Sequence, residues 1–171
     1  MSDVYLRPLK EEDAAITLEW HRNPNIWRYT RNNPSLYSPT LETELAWIQK
    51  AASDQSVRRF VICLSSSDRP IGIVGLQRID LERLSAGTFI FIGDESAWGK
   101  GYGHQALRQT MDWGIREFGL VHFDTWVCEE NKASAGMYKK LGYRFTDEYL
   151  QGQVLMRRMF FTGTGGLILE D

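Results

Sequence analysis

Apolar and polar residues alternate through Val4–Leu9 (VYLRPL) and the run stops at a proline, the pattern of a short half-buried strand. From Asp13 to Trp20, Ala14, Ile16, Leu18 and Trp20 are mixed with acids, which predicts a short helix. The next stretch, His21–Pro39 (HRNPNIWRYTRNNPSLYSP), is too broken by Asn and Pro for a long helix and too aromatic for a disordered linker. Ser38 followed by Pro39, with Glu42 and Glu44 just beyond, predicts a helix start, and the helix should run to about Ala52. Serine can cap that start, and acids suit the positive end of the helix dipole.

Arg58–Leu64, Ile71–Asp80 and Ala86–Gly93 read as three strands on short connections, an antiparallel meander in which Gly72 and Gly75 mark bends or bulges. Leu107, Met111, Ile115 and Phe118 recur at spacings of four, four and three, giving one apolar face to a helix ending near Phe118. His122–Cys128 follows as a strand and Lys132–Gly142 as a short helix closed by glycine. Tyr143–Leu150 and Gln153–Phe161 pair as strands around Gln151-Gly152. The sum is α+β: a central mixed, mostly antiparallel sheet of about seven strands flanked by about four helices. One domain is expected over residues 1–161, with a glycine-rich tail, 162–171, carrying a small apolar patch (LILED).

With 171 residues, 43% hydrophobic and 25% charged, the chain suits one domain with a real core. Its net charge of −2 and lack of a basic block argue against nucleic acid as a partner. Cys63 and Cys128 lie far apart in apolar runs and are expected as buried free thiols. His21, His104 and His122 have no metal-ligand spacing, so no metal is expected. The opening residues hold no apolar run suited to a signal peptide, and no window of 18 apolar residues occurs, so no membrane partner and a cytoplasmic location are expected.

Ala97–Leu107 (AWGKGYGHQAL) is the unusual stretch. Gly99, Gly101 and Gly103 follow a strand and open a helix, although each glycine costs about 1 kcal/mol relative to alanine inside one. Helix starts carry unpaired N–H groups and partial positive charge, so glycines there suit a backbone cradle for phosphate; an ordinary tight turn is the competing reading. A Walker A loop is absent, and the spacing is offset from a dinucleotide fingerprint and follows a presumed antiparallel meander. A second constellation begins 28 residues after Gly103: Asn131 just past a strand end and Tyr138 inside the following helix. Alone, these would be a cap and a packing aromatic.

Together, WGKGYGHQAL and NKASAGMYKKLGY resemble the GNAT superfamily of N-acetyltransferases, whose Q/R-x-x-G-x-G/A loop grips the acetyl-CoA diphosphate ahead of an Asn…Tyr…LGF segment. Trp98 stands where Gln or Arg is usual, as in the branch resembling ribosomal-protein N-terminal acetyltransferases. LRPL (Leu6–Leu9) and DQSVRRFVI (Asp54–Ile62) are similar to bacterial spermidine N-acetyltransferases, and the likeness runs from Leu6 to about Phe160. In the spermidine enzymes, acids between the first two helices form a polyamine regulatory site. The matching stretch, Trp27–Ser38, has Arg31, Asn32 and Asn33 and no acid, so that site does not carry over.

The resemblance implies acetyl-CoA as cosubstrate and direct transfer to an amine while both ligands are bound. It implies that the Phe91, Ile92 and Gly93 backbone pairs with the pantetheine arm. Trp98, Gly99, Lys100, Gly101, Tyr102, Gly103 and His104 would hold the diphosphate, and Asn131 and Ser134 the cofactor arm. Tyr138 is the expected general acid, since a phenol near pKa 10 is protonated at neutral pH and matches the thiol it would create. Glu95, Glu129 and Glu130 are the candidate bases, and Cys128 lacks a positioned histidine for a covalent route. Acceptor specificity is assigned to His21–Pro39, with Trp27, Tyr29 and Tyr37 lining a pocket or packing in the core. The favoured acceptor is a small-molecule amine of polyamine or aminosugar type. The alternatives are a peptide N-terminus, as in ribosomal-protein-type enzymes, and a non-catalytic acyl-CoA-binding module. A homodimer is expected from the resemblance and the apolar tail.

Overall fold

The seven expected strands form within one or two residues of their expected bounds: β1 (Val4–Pro8), β2 (Arg58–Leu64), β3 (Pro70–Asp80), β4 (Ser85–Ile92), β5 (His122–Cys128), β6 (Arg144–Gln151) and β7 (Val154–Thr162). In the computed structural model, which describes residues 2–29, 38–151 and 154–163, they make one sheet ordered β1-β2-β3-β4-β5-β7-β6. The first four pair antiparallel as the expected meander. β4 and β5 are parallel, which demands a crossover, and the long helix α4 (Tyr102–Phe118) supplies it. The other helices are α1 (Ala14–Arg22), α2 (Pro24–Trp27), α3 (Leu41–Ser53) and α5 (Lys132–Lys140), five among the described residues against the expected four or so.

α2 is the addition, and its cause is local. Asn23 Oδ1 accepts a 3.0 Å bond from the Asn25 amide, and Pro24 at the first helical position lacks the N–H that would go unpaired. α3 starts two residues later than Ser38-Pro39 suggested. Thr40 Oγ1 accepts from the Thr43 amide at 3.2 Å while Thr43 Oγ1 accepts from the Thr40 amide at 2.9 Å, a reciprocal cap that outcompetes serine. Ser38, Arg31, Asn32, Asn33 and Tyr37 meet different fates: Ser38 precedes the cap, and the other four, like the Gly152 turn and the LILED tail, lie outside the described residues.

Alternation along the strands buries both faces of the meander. Ile62, Val74 and Leu76 pack with Leu107 and Met111 of α4, while Val61, Cys63 and Ile73 pack on the other face with Trp20 of α1. Gly72 does flank a register slip opposite Ile62/Cys63. Gly75 marks no bulge, and a Cβ there would lie 2.1 Å from the Arg58 carbonyl oxygen. Cys63 and Cys128 are buried and free. Among the described residues no helix is long and apolar enough to cross a membrane.

Glu44 does not act mainly as a dipole-matching surface acid. It is 3% exposed, and His21 Nδ1 lies 2.8 and 2.9 Å from its two oxygens. This pair joins α1 to α3, and the His21 ring stacks on Trp27 at 5.2 Å. Trp27 in turn meets Phe91 of β4 at 4.9 Å. Removing one partner of a buried pair leaves the other without compensation. Glu44→Ala should therefore lose about 3–5 kcal/mol in urea unfolding; a loss below 1 kcal/mol would contradict the clamp. Gly93 gives a second check, because a Cβ there would sit 2.1 Å from the Trp20 ring. Gly93→Ala should cost about 1–3 kcal/mol through that overlap, measured the same way.

Candidate active site

The site begins where β4 leaves β5. Main-chain pairing covers Ser85↔His122, Ala86↔Phe123 and Gly87↔Asp124 and then stops, although both strands continue. Two threonines close the apex: Thr88 Oγ1 donates to the Asp124 carbonyl at 3.3 Å, and Thr125 Oγ1 to the Thr88 carbonyl at 3.1 Å. Beyond them the strands part.

Ladder alternation decides which β4 groups face the gap. The Gly93 amide donates to the Ile71 carbonyl at 2.8 Å, so Gly93, and Phe91 in step with it, direct their main-chain groups to β3. Ile90 and Ile92 direct theirs to the β5 side. The Ile92 carbonyl accepts a 2.9 Å bond from Trp98 Nε1, which ties the glycine segment to the strand end. The pantetheine-facing backbone expected at Phe91–Gly93 is thus geometrically that of Ile90 and Ile92.

A cleft of about 660 Å³ opens from this gap, bounded by the end of β4, the start of α4, the first turns of α5, and α2 with the two residues after it. That volume suits a cofactor-sized ligand. Its floor explains the three glycines. Gly99 and Gly101 have φ of +73° and +80°, a left-handed conformation costly for other residues, and a Cβ on either would meet nothing within 4 Å. Gly103 serves close approach instead: its Cβ would lie 3.2 Å from Met137 Sδ and 3.6 Å from Ile90 Cδ1. The first bond into α4 runs from the Gln105 amide to the Gly101 carbonyl, 3.2 Å, so the amides of Tyr102, Gly103 and His104 precede the helical ladder. They converge at the positive end of a 17-residue helix. His104 has its pKa lowered by burial and by Arg108 and Lys140, which keeps a neutral imidazole there.

Phe91, Ile92, Trp98, Gly99, Gly101, Tyr102, Gly103, His104, Asn131 and Ser134 all line the cleft. Gly93 is packed under Trp20 instead, and Lys100 is exposed on the loop outside the lining. Asn131 also caps α5, its Oδ1 accepting from the Ser134 amide at 3.1 Å. Tyr138 is 2% exposed and stands edge-on to Tyr143 at 5.0 Å, below the cleft rather than in its lining. Burial raises its phenol pKa, and hydrogen bonding with Thr125 and Thr88 offsets this only in part. The phenol therefore sits beside the two threonines that mark the apex.

None of the three candidate acids lines the cleft. Glu95 is held ionised, below its ordinary pKa, by Asn23 Nδ2 at 2.6 Å and Asn25 Nδ2 at 3.2 Å. Glu129 is lowered by its 2.7 Å bond from Lys132, with Arg157 adding to the effect. Glu130 is exposed. Asn25, Ile26 and Arg28 line the cleft from within the expected His21–Pro39 segment, whereas Lys132, Met137 and Lys140 are lining residues that no sequence motif singled out. The Asn-Pro helix start was the signal available for the α2 group. Of the aromatics, Tyr29 lines the cleft and Trp27 packs in the core.

Residues 3–144 match the profile of the acetyltransferase (GNAT) domain. A Bacillus licheniformis protein described as N-acetyltransferase p20 is 24% identical over 139 residues, 81% of this chain and 78% of that one. Human alpha/beta-tubulin-N-acetyltransferase 9 is 26% identical over 136 residues, 73% of this chain but only 64% of the human protein's length. Among solved structures, Vibrio cholerae spermidine N-acetyltransferase in complex with CoA and spermine superposes with a TM-score of 0.81 at 21% identity, covering 94% of this chain and 95% of that one. The glycine-floored cleft between parting parallel strands and the profile match over most of the chain lead to one conclusion: this chain belongs to the acetyltransferase (GNAT) domain family and is an acetyl-CoA-dependent N-acetyltransferase.

Proposed function

We propose that the protein acetylates a primary amine of a small molecule by direct transfer, with donor and acceptor held together in the cleft. The observation that carries this reading is the convergence of the α4 amides and the gap-facing β4 backbone on one cleft, with a buried phenol directly beneath its apex. When bound, acetyl-CoA supplies a thioester carbonyl open to attack by the amine. The amides of Tyr102, Gly103 and His104 bind and orient the diphosphate, and the main chain of Ile90 pairs with the amide-bearing arm as a missing strand would. Asn131 holds the same arm from α5. Tyr138 Oη keeps its proton at neutral pH and gives it to the departing sulfur at the apex.

The acceptor's own proton takes a different route. No carboxylate lines the cleft among the described residues, and Glu95 and Glu129 are held below their ordinary pKa, which makes them weak bases. The amine accordingly reacts as the neutral species and loses its proton to water. The likeness to the spermidine enzyme supports the fold, not the acceptor.

An acceptor screen of polyamines, aminosugars and short peptides with thiol detection tests the reading, and cofactor binding without turnover on any amine would sink it. Tyr138→Phe should lower kcat by about 10²–10⁴ with CoA affinity unchanged; a loss within twofold would remove Tyr138 from the role. Gly103→Val should cost about 1–3 kcal/mol by pressing on Met137 and Ile90 and should weaken CoA at least about tenfold by moving the α4 start away from α5 and β4. Below the acceptor's own pKa, kcat/KM should climb about tenfold per pH unit as neutral amine accumulates. Because the Tyr138 pKa lies above the ordinary 10.0, no downturn from its ionisation should appear before about pH 10.

A further inference from the structure

The cleft's charge is one-sided. Among the described residues its lining includes Arg28, Lys132 and Lys140 and no carboxylate. The bias extends through the adjoining sequence, since Trp20–Leu41 contains Arg22, Arg28 and Arg31 and no acid at all. Burial is the main reason the pKa of His104 is lowered, and the two charges that add to it, Arg108 and Lys140, are both positive. A polyamine entering this space would leave water for a lining without a carboxylate, because Glu95 and Glu129 lie outside it and are already engaged by Asn23 and Asn25 and by Lys132.

The positive groups have separable tasks. Lys132 and Lys140 belong to α5, beside the α4 start that faces the diphosphate. Arg22 is committed to structure, its Nε donating to the Pro39 carbonyl at 3.1 Å. Arg28 stands on a different wall, one residue after Trp27, whose ring is fixed against Phe91. Its guanidinium carbon lies over the Tyr29 ring, 4.7 Å from the centroid, a cation–π contact that uses none of the five N–H donors a planar anion could take. No carboxylate lies within ion-pair distance of Arg28 among the described residues. Glu95, the acid that senses its charge, is bound by Asn23 and Asn25.

We infer that the acceptor is an amine whose carrier bears a carboxylate a few bonds away, and that Arg28 binds that carboxylate and so turns the amine toward the thioester. The inference rests on the transfer reading above and narrows its substrate class. Two sources share this chemistry, a free amino acid and a peptide whose first residues are acidic, and paired probes distinguish them.

The test compares glutamate with glutamine amide, a tripeptide beginning with Glu with its Gln counterpart, and spermidine, all by thiol release with the full-length enzyme. The carboxylate-bearing member of at least one pair should lead its neutral counterpart in kcat/KM by about tenfold or more, with spermidine behind both. Arg28→Gln should erase that lead through acceptor KM while leaving CoA affinity within twofold, and Arg28→Lys should restore part of it. A lead for spermidine, a preference that survives Arg28→Gln, or a tenfold loss of CoA affinity in that variant would overturn the inference, the last by assigning Arg28 to the coenzyme. If no acceptor turns over, the transfer reading fails. Calorimetric affinity of the enzyme–CoA complex for the Glu tripeptide over the Gln tripeptide, in wild type and Arg28→Gln, then decides the Arg28 inference on its own.

Discussion

Parallel pairing between β4 and β5 lasts for Ser85–Gly87 and no further, and the site depends on that parting. A sheet paired to the ends of both strands would bury the main-chain groups of Ile90 and Ile92 in a ladder and leave no room for a ligand's arm. Thr88 and Thr125 end the ladder with side-chain bonds to main-chain carbonyls, which satisfies the polar groups at the apex without carrying the pairing on. Thr88 Oγ1 also lies 3.0 Å from Tyr143 Oη, and both threonines offset the burial-raised pKa of the Tyr138 phenol, so the place where the strands separate is also where a proton can be stored.

The helix built across this opening determines what it can hold. α4 is the crossover that any parallel pair needs, and its N-terminus arrives at the mouth of the gap. Gly99 and Gly101 give the loop its left-handed turns, while Gly103 lets α4 approach Met137 of α5 and Ile90 of β4. Trp98 then fixes the loop through its bond to the Ile92 carbonyl. On the other side, the His21–Glu44 pair, Trp27 and Phe91 form one packed chain from α3 to β4. Residues just after Trp27 therefore face the cleft from a rigid base, although Arg28 itself is exposed.

Much of this was legible in the residue pattern, because strands buried on both faces and helices with one apolar stripe leave strong periodic signals. β2 and β5 have the bounds their apolar runs suggest, and α4 closes at Gly119, φ +67°, as a glycine stop should. The glycine segment and Asn131 pointed to the cleft because the backbone conformations and caps they enable are local. Nonlocal facts were hidden. Nothing near Glu44 in sequence announces a partner 23 residues earlier, and strand parity at Phe91 depends on which edge β3 takes. The four-residue α2 is too short for periodicity to reveal, though its Asn-Pro start was visible. Cleft charge also escaped notice, since a net charge of −2 says nothing of how it is distributed.

The central claim is that amides at the start of α4 hold the coenzyme diphosphate and so aim its sulfur at the apex near Tyr138. Backbone amide NMR during titration with CoA tests it most directly. The account predicts saturable shifts largest at Tyr102, Gly103 and His104, with Ile90 and Ile92 following at the same midpoint. Shifts confined to surface lysines, or a silent α4 N-terminus while CoA binds elsewhere, would contradict it.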